Sequence, residues 1–218
     1  MSLKERLDAC RREYEATRAP PLVAAVRRSI RGFAQTGRVT KAVKAGEAAP
    51  GFRLRGRGGL VELSDLLERG PVVLSFFWGD WCPFCVLELE ALGEICQEIE
   101  RLGATLIALT TQAPDNTFPP GDGAPPFAIL HDSGGKVALR YRIAFTVPRQ
   151  FRAAYLALGY PNSAKYGQKG WMLPIPATYV VDRTGLVVLS YFDADHTTRL
   201  EPTEIIVALS ILRAAHSV

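Results

Sequence analysis

The segment Trp81-Cys82-Pro83-Phe84-Cys85 places two thiols three positions apart, between an apolar run from Pro71 to Trp78 and a helical pattern that opens at Pro83. Residues at i and i+3 face each other across one helical turn, so the two sulfurs can bond and separate with little backbone movement. The chemistry this spacing suits is reversible thiol–disulfide exchange. Cys82 falls at the helix N-terminus, where unpaired N–H groups and the helix dipole favour a thiolate, and Pro83 suits the first helical position because it has no N–H to leave unpaired. Cys82 is therefore expected to be the nucleophile. Cys85 lies one turn inside, where burial opposes ionisation, and is expected to remain a thiol until it resolves a bond formed at Cys82.

Zinc is the competing use of such a pair. A tetrahedral site needs two more ligands, and Cys10, Cys96, His131, His196 and His216 form no second spaced pair, so no metal is expected. A structural disulfide over so short a loop would constrain the unfolded chain little. Cys96 lies eleven residues beyond Cys85, roughly 16 Å along a helix axis at ~1.5 Å per residue, too far to bridge; a buried apolar role is expected for it.

These thiols need a scaffold, and 218 residues with 48% apolar content suffice for one domain with an extension. No stretch approaches the ~18 residues of a membrane span. The N-terminus, with Glu5, Asp8, Glu13 and Glu15 among its bases, resembles neither a signal nor a transit peptide, so a cytoplasmic protein is expected, its pair mostly dithiol at rest. The charge of +4 is local: residues 1–46 hold 11 Lys and Arg against 4 Asp and Glu, the remainder 15 against 18. Arg11, Arg12, Arg27, Arg28 and Arg31 lack aromatic interleaving, which indicates solvated helix faces and no nucleic-acid partner.

Ser2 and Glu5 form a capping box for a helix with Leu3, Leu7, Cys10 and Tyr14 on one face. A second helix opens at Pro20-Pro21, turns Leu22, Val26, Ile30 and Phe33 inward, and stops at Gly37. These two helices, an extension over residues 1–45, must bury their stripes on the core or on a second copy of the chain in a homodimer. From residue 46 to 218, short apolar runs alternate with helical patterns, which predicts an α/β domain with a largely parallel central sheet. Asp182-Arg183-Thr184-Gly185 predicts a hairpin turn. Gln112 to Pro126 and Tyr160 to Met172 read as long loops.

Gly46-Glu47-Ala48-Ala49-Pro50-Gly51-Phe52-Arg53-Leu54, the stretch from Phe76 to Cys85, and Pro174 to Gly185 resemble, in that order, three segments of the AhpC/TSA superfamily of peroxiredoxins and their relatives. The resemblance implies a thioredoxin-like fold, a mixed central sheet flanked by helices. It also implies a cis proline against the disulfide, by position Ile175-Pro176 with Pro174 as the fallback; a trans proline at a strand entry is the alternative. A cis bond there would expose the Ile175 backbone to hold an extended substrate beside Cys82.

The departures are informative. Where peroxiredoxins carry P-x-x-x-T/S-x-x-C, counting back from Cys82 gives Gly79 at the hydroxyl position and Ser75 at the proline position. The arginine expected six residues before Asp182 is Pro176, and the buried acid of thioredoxins is Phe76. Asp80 is the one nearby carboxylate and a candidate proton relay; Trp81 would shield the pair and contact substrate. His131-Asp132, at a strand end, and His196 with Arg199, after the hairpin, could line the site or cap a turn, and the turn is the reading favoured. The function implied is hydroperoxide reduction by Cys82 with Cys85 resolving, no cofactor, and an external thioredoxin- or glutathione-type reductant. A protein disulfide reductase using the same pair is the alternative, and a redox-sensing or binding module without turnover is the third.

Overall fold

The computed structural model describes residues 1–112, 124–160 and 171–215. At its centre is β3 (Val72–Phe77), six residues buried on both faces. Alternation along the strand sends Val73 and Phe77 into one core layer and Val72, Leu74 and Phe76 into the other. Around it the seven-stranded sheet runs β2 (Gly59–Glu62), β1 (Arg53–Gly56), β5 (Ala128–His131), β4 (Thr105–Thr110), β3, β8 (Ala177–Val181) and β9 (Val187–Phe192). This is the thioredoxin-like arrangement, with helices on both faces.

The sheet is mixed, not largely parallel: β3 with β4 and β4 with β5 are parallel, and the four other pairings are antiparallel. Two of these four are hairpins, β1–β2 and β8–β9. In the second, Asp182 Oδ1 accepts from the N–H groups of Thr184 and Leu186 at 2.8 and 3.0 Å, and Gly185 supplies the left-handed turn residue at φ +85°. A separate ribbon pairs β6 (Ala144–Thr146) with β7 (Met172–Pro174). The helical stretch that opens at Pro83 breaks at Ile95 into α4 (Pro83–Glu94) and α5 (Cys96–Arg101), and Cys96 is buried in the core.

The N-terminal helices bury their stripes on the chain's own core. In α1 (Leu3–Thr17) the Ser2–Glu5 capping box forms, and Leu3 and Leu7 join the layer around Val73 and Leu89. Arg6 reaches Glu90 at 2.6 Å and Glu94 at 2.9 Å on α4, while Glu201, before α8 (Pro202–Ala215), accepts the Lys4 N–H at 2.7 Å. Helix α2 (Pro20–Gln35) packs on α7 (Arg152–Ala157), and Phe33 meets the Phe145 ring at 4.8 Å. No helix among the described residues is long and apolar enough to cross a membrane. The predicted loops fall largely outside the described residues, as does His216.

Asp132 acts as the sequence implied. Its buried carboxylate accepts the N–H groups of Val137 and Ala138, each at 2.9 Å, at the start of α6 (Lys136–Arg140). Asp132→Ala is expected to cost about 2 kcal/mol in a urea unfolding titration, the scale of a lost helix cap.

Candidate active site

The apolar strand β3 delivers Trp78 to its C-terminal end, and a short turn leads to Cys82 at the N-cap of α4 with Pro83 in the first turn. The Cys82 carbonyl accepts the N–H groups of Cys85 and Val86 at 3.0 and 3.1 Å, which fixes both thiols on one side of the opening turn. Both are free thiols and hydrogen-bond each other. Cys82, 3% exposed, lines a large cavity between α4 and the N-terminal helices; Cys85, at 0%, is covered entirely.

What covers Cys85 is an ion pair. Arg199, from the segment between β9 and α8, donates from Nη2 to the Cys85 sulfur at 3.2 Å and from Nε to Glu88. Its Nη1 donates to the carbonyls of His196 and Thr198 at 2.6 and 2.7 Å. Glu88 Oε1 accepts from the hydroxyls of Ser75 and Thr178 at 3.2 and 3.4 Å, and these two residues are direct partners across β3 and β8. Cys85, Glu88, Arg199, Ser75 and Thr178 are all buried. Burial pushes the Glu88 carboxyl upward while Arg199 opposes that, and the facing carboxylate and thiols raise Arg199 against the burial that would lower it.

This arrangement reverses the expected order of ionisation. Burial drives the Cys82 thiol well above its ordinary range, and its hydrogen bond to Cys85 pushes the same way. Burial would raise Cys85 too, but the Cys82 hydrogen bond and the Arg199 guanidinium outweigh it and hold Cys85 at about 7. The Arg199 contact therefore favours a thiolate at the inner sulfur, while burial disfavours one at Cys82. A buried guanidinium at contact distance outweighs a helix dipole whose first turn is itself packed away from water.

Two further expectations are corrected. His196 and Arg199 are site residues, not a surface turn: the His196 ring stacks on Trp78 at 4.5 Å, meets Phe84 edge-on at 6.0 Å, and lines the cavity. Burial lowers its pKa to about 4, so the ring is neutral in the folded protein at neutral pH. Since the unfolded chain binds a proton there below about 6.5, stability is expected to fall as pH drops from about 6.5 to about 4. His196→Phe, compared with wild type by thermal denaturation across that window, should flatten the slope.

The second correction concerns Ile175-Pro176. The described residues contain no cis peptide bond. The Ile175 N–H donates to the Ile143 carbonyl at 2.6 Å, continuing the β6–β7 ribbon, and the side chain is 2% exposed. That amide is consumed by the chain's own backbone. Pro176 lines a second cavity, which shares Trp78 and His196 with the first.

Trp81 stacks on Trp78 at 5.6 Å and meets Tyr160 edge-on at 5.4 Å, forming a flat apolar wall of the first cavity. Asp80 lines it as well, its Oδ1 accepting from Gln112 Nε2 at 2.9 Å while Gln112 Oε1 accepts the Asp80 N–H at 3.2 Å. A Cβ at Gly79 would overlap Gln112 Oε1 and Trp81 Nε1, so these two side chains occupy the space a larger residue there would need. Asp80 is not the one carboxylate near the pair: Glu88 shares Arg199 with the buried sulfur, and its place three residues after Cys85 on α4 was the available signal. Arg199 carried no such local signal. Among the described residues no three His, Cys, Asp or Glu gather as a metal would require.

The AhpC/TSA family model matches residues 45–190. The chain is 28% identical over 119 residues to thiol-disulfide oxidoreductase ResA of Oceanobacillus iheyensis, a match covering 47% of this chain and 56% of that protein. It is 35% identical over 75 residues to bcp of Helicobacter pylori, named a peroxiredoxin, covering 34% and 47% respectively. The chain thus spans about half the length of each of these relatives. The reduced 2-Cys peroxiredoxin of Plasmodium vivax shares the fold at a TM-score of 0.62 and 15% identity, over 80% of this chain and 84% of that one.

Proposed function

The chain belongs to the AhpC/TSA family, and on that footing we propose that it is a peroxiredoxin-like thiol oxidoreductase that reduces hydroperoxides by cycling Cys82 and Cys85 between dithiol and disulfide. The observation that carries this reading is the Arg199 guanidinium on one sulfur of an adjacent pair whose other sulfur faces a cavity. The cation missing from the expected sequence position is supplied from another segment.

Cys82 is the sulfur a substrate can reach. Once the neighbouring Cys85 thiolate has taken its proton, Cys82 attacks the terminal oxygen of the hydroperoxide as a thiolate, the O–O bond breaks, and Cys82 becomes a sulfenic acid. The proton Cys82 held, now on Cys85, passes to the departing alkoxide, giving the alcohol and returning Cys85 to its thiolate; Asp80 at the cavity wall is the alternative relay. The Cys85 thiolate then attacks the Cys82 sulfur and expels hydroxide, leaving the disulfide. An external thiol of thioredoxin or glutathione type restores the dithiol, as a reducing cytoplasm would provide. Trp81 gives the substrate a flat apolar contact.

The paired thiols one turn apart also suit attack of Cys82 on a protein disulfide, with Cys85 releasing the mixed intermediate. The internal use of the Ile175 amide weighs against it, because an extended partner strand has no free backbone there. Initial rates with hydrogen peroxide and cumene hydroperoxide, measured beside insulin disulfide reduction, separate the readings. Peroxide consumption should dominate. Insulin reduction alone would overturn the peroxidase reading, and inactivity in both assays with the disulfide still forming would indicate a sensing module.

A further inference from the structure

Attack by Cys82 leaves negative charge on the second peroxide oxygen, and a hydrogen-bond donor aimed at that oxygen stabilises the charge as it develops. Gly79 and Pro176 stand at the two positions where the family resemblance implies a hydroxyl and a guanidinium. Several polar groups beside the pair are already taken up. The Cys82 N–H donates to the Gly79 carbonyl at 3.2 Å, and Trp78 Nε1 to the Pro174 carbonyl at 2.8 Å. Each Arg199 nitrogen is engaged, by Cys85, Glu88 and two backbone carbonyls.

His196 is different. Its ring hydrogen-bonds to none of the described residues, although the residue is only 8% exposed and lines the cavity that Cys82 also lines. A neutral imidazole carries one N–H donor and one acceptor nitrogen, and native proteins seldom bury both without partners. The ring is also held firmly. Trp78, four residues before Cys82, stacks on it at 4.5 Å, and Phe84, two residues after, meets it edge-on at 6.0 Å. One guanidinium ties the same residue to the thiols: Arg199 Nη1 donates to the His196 carbonyl at 2.6 Å while its Nη2 donates to the Cys85 sulfur at 3.2 Å. A preorganised polar ring therefore sits on the wall beside the pair, its nitrogens unmatched by protein. Burial keeps it neutral at neutral pH, the state in which an imidazole donates to a developing oxyanion without giving up its proton.

Resting on the hydroperoxide-reductase reading, we infer that His196 is a catalytic residue whose ring N–H donates a hydrogen bond to the leaving oxygen of the hydroperoxide. The S–O bond forms at Cys82 as the O–O bond breaks; sulfur is oxidised by two electrons and the peroxide reduced by two. The leaving alkoxide gathers its charge against the His196 N–H and then takes the proton from Cys85.

The test compares kcat/KM for cumene hydroperoxide, which releases a strongly basic alkoxide, with that for perbenzoic acid, which releases a weakly basic carboxylate and has little need of a donor. Both carry one phenyl ring, so their apolar contacts are matched. His196→Phe keeps a ring against Trp78 and removes the N–H. It should lower the cumene hydroperoxide value by about 10²-fold, the scale of one lost donor to a developing oxyanion, and the perbenzoic acid value far less. His196→Gln returns an N–H and should recover part of the loss with cumene hydroperoxide. Equal losses for the two peroxides in both variants, as a purely structural role would give, would overturn the inference. So would cumene hydroperoxide reduction that neither substitution slows. Wild-type protein that consumes neither peroxide would instead overturn the hydroperoxide-reductase reading itself, and this role with it.

Discussion

Arg199→Met is expected to raise the thiolate pKa of the reduced pair from about 7 to above the ordinary thiol range, because burial remains and the cation that offsets it is gone. The same substitution leaves Glu88 buried without its partner, a loss on the order of 3–5 kcal/mol. The two effects are separable. Adding Glu88→Gln removes the orphaned charge, keeps an acceptor for the Ser75 and Thr178 hydroxyls, and should recover much of the stability while the thiol pKa stays high. Ultraviolet absorbance of the thiolate against pH reads the first effect and urea unfolding the second. An Arg199→Met protein whose thiolate still forms near 7 would remove the electrostatic basis proposed for the site.

Cys82→Ser should lower peroxide turnover by at least about 10³-fold, as loss of a nucleophile does. Cys85→Ser should behave differently. Its Cys82 can still accept the oxygen, but with no neighbouring sulfur the sulfenic acid persists, so one turnover is followed by arrest and dimedone labels Cys82. The fully covered position of Cys85 and the cavity-facing position of Cys82 dictate this division. Should Cys82→Ser instead retain a rapid single turnover, with the label on Cys85, the two sulfurs would exchange roles and the Arg199-held thiolate would itself be the oxygen acceptor.

Much of the site was legible in the sequence because its signals are local. The N-cap cysteine followed by proline, the Ser2–Glu5 box and the Asp182–Gly185 turn each depend on residues within one turn of backbone, and each forms as read. The charge network was not legible, because Ser75, Glu88, Thr178 and Arg199 meet only once β8 pairs with β3 and the segment after β9 folds back over α4. That convergence, which no local pattern shows, is what sets a guanidinium on the inner sulfur. The same holds for Ile175, whose amide is claimed by a ribbon of strands too short to show a period. The mixed sheet implied by the family resemblance is the one found, whereas alternation alone suggested a largely parallel one, because short apolar runs do not reveal whether the next strand returns by a turn or by a crossover helix.

The whole mechanism requires that one oxidising equivalent join Cys82 to Cys85. Reduced protein treated with a single equivalent of hydroperoxide, quenched with an alkylating agent and digested without reductant, should lose two hydrogens in intact mass and yield a peptide with those two cysteines linked. Both cysteines recovered as alkylated thiols, or linkage through Cys10 or Cys96, would contradict it.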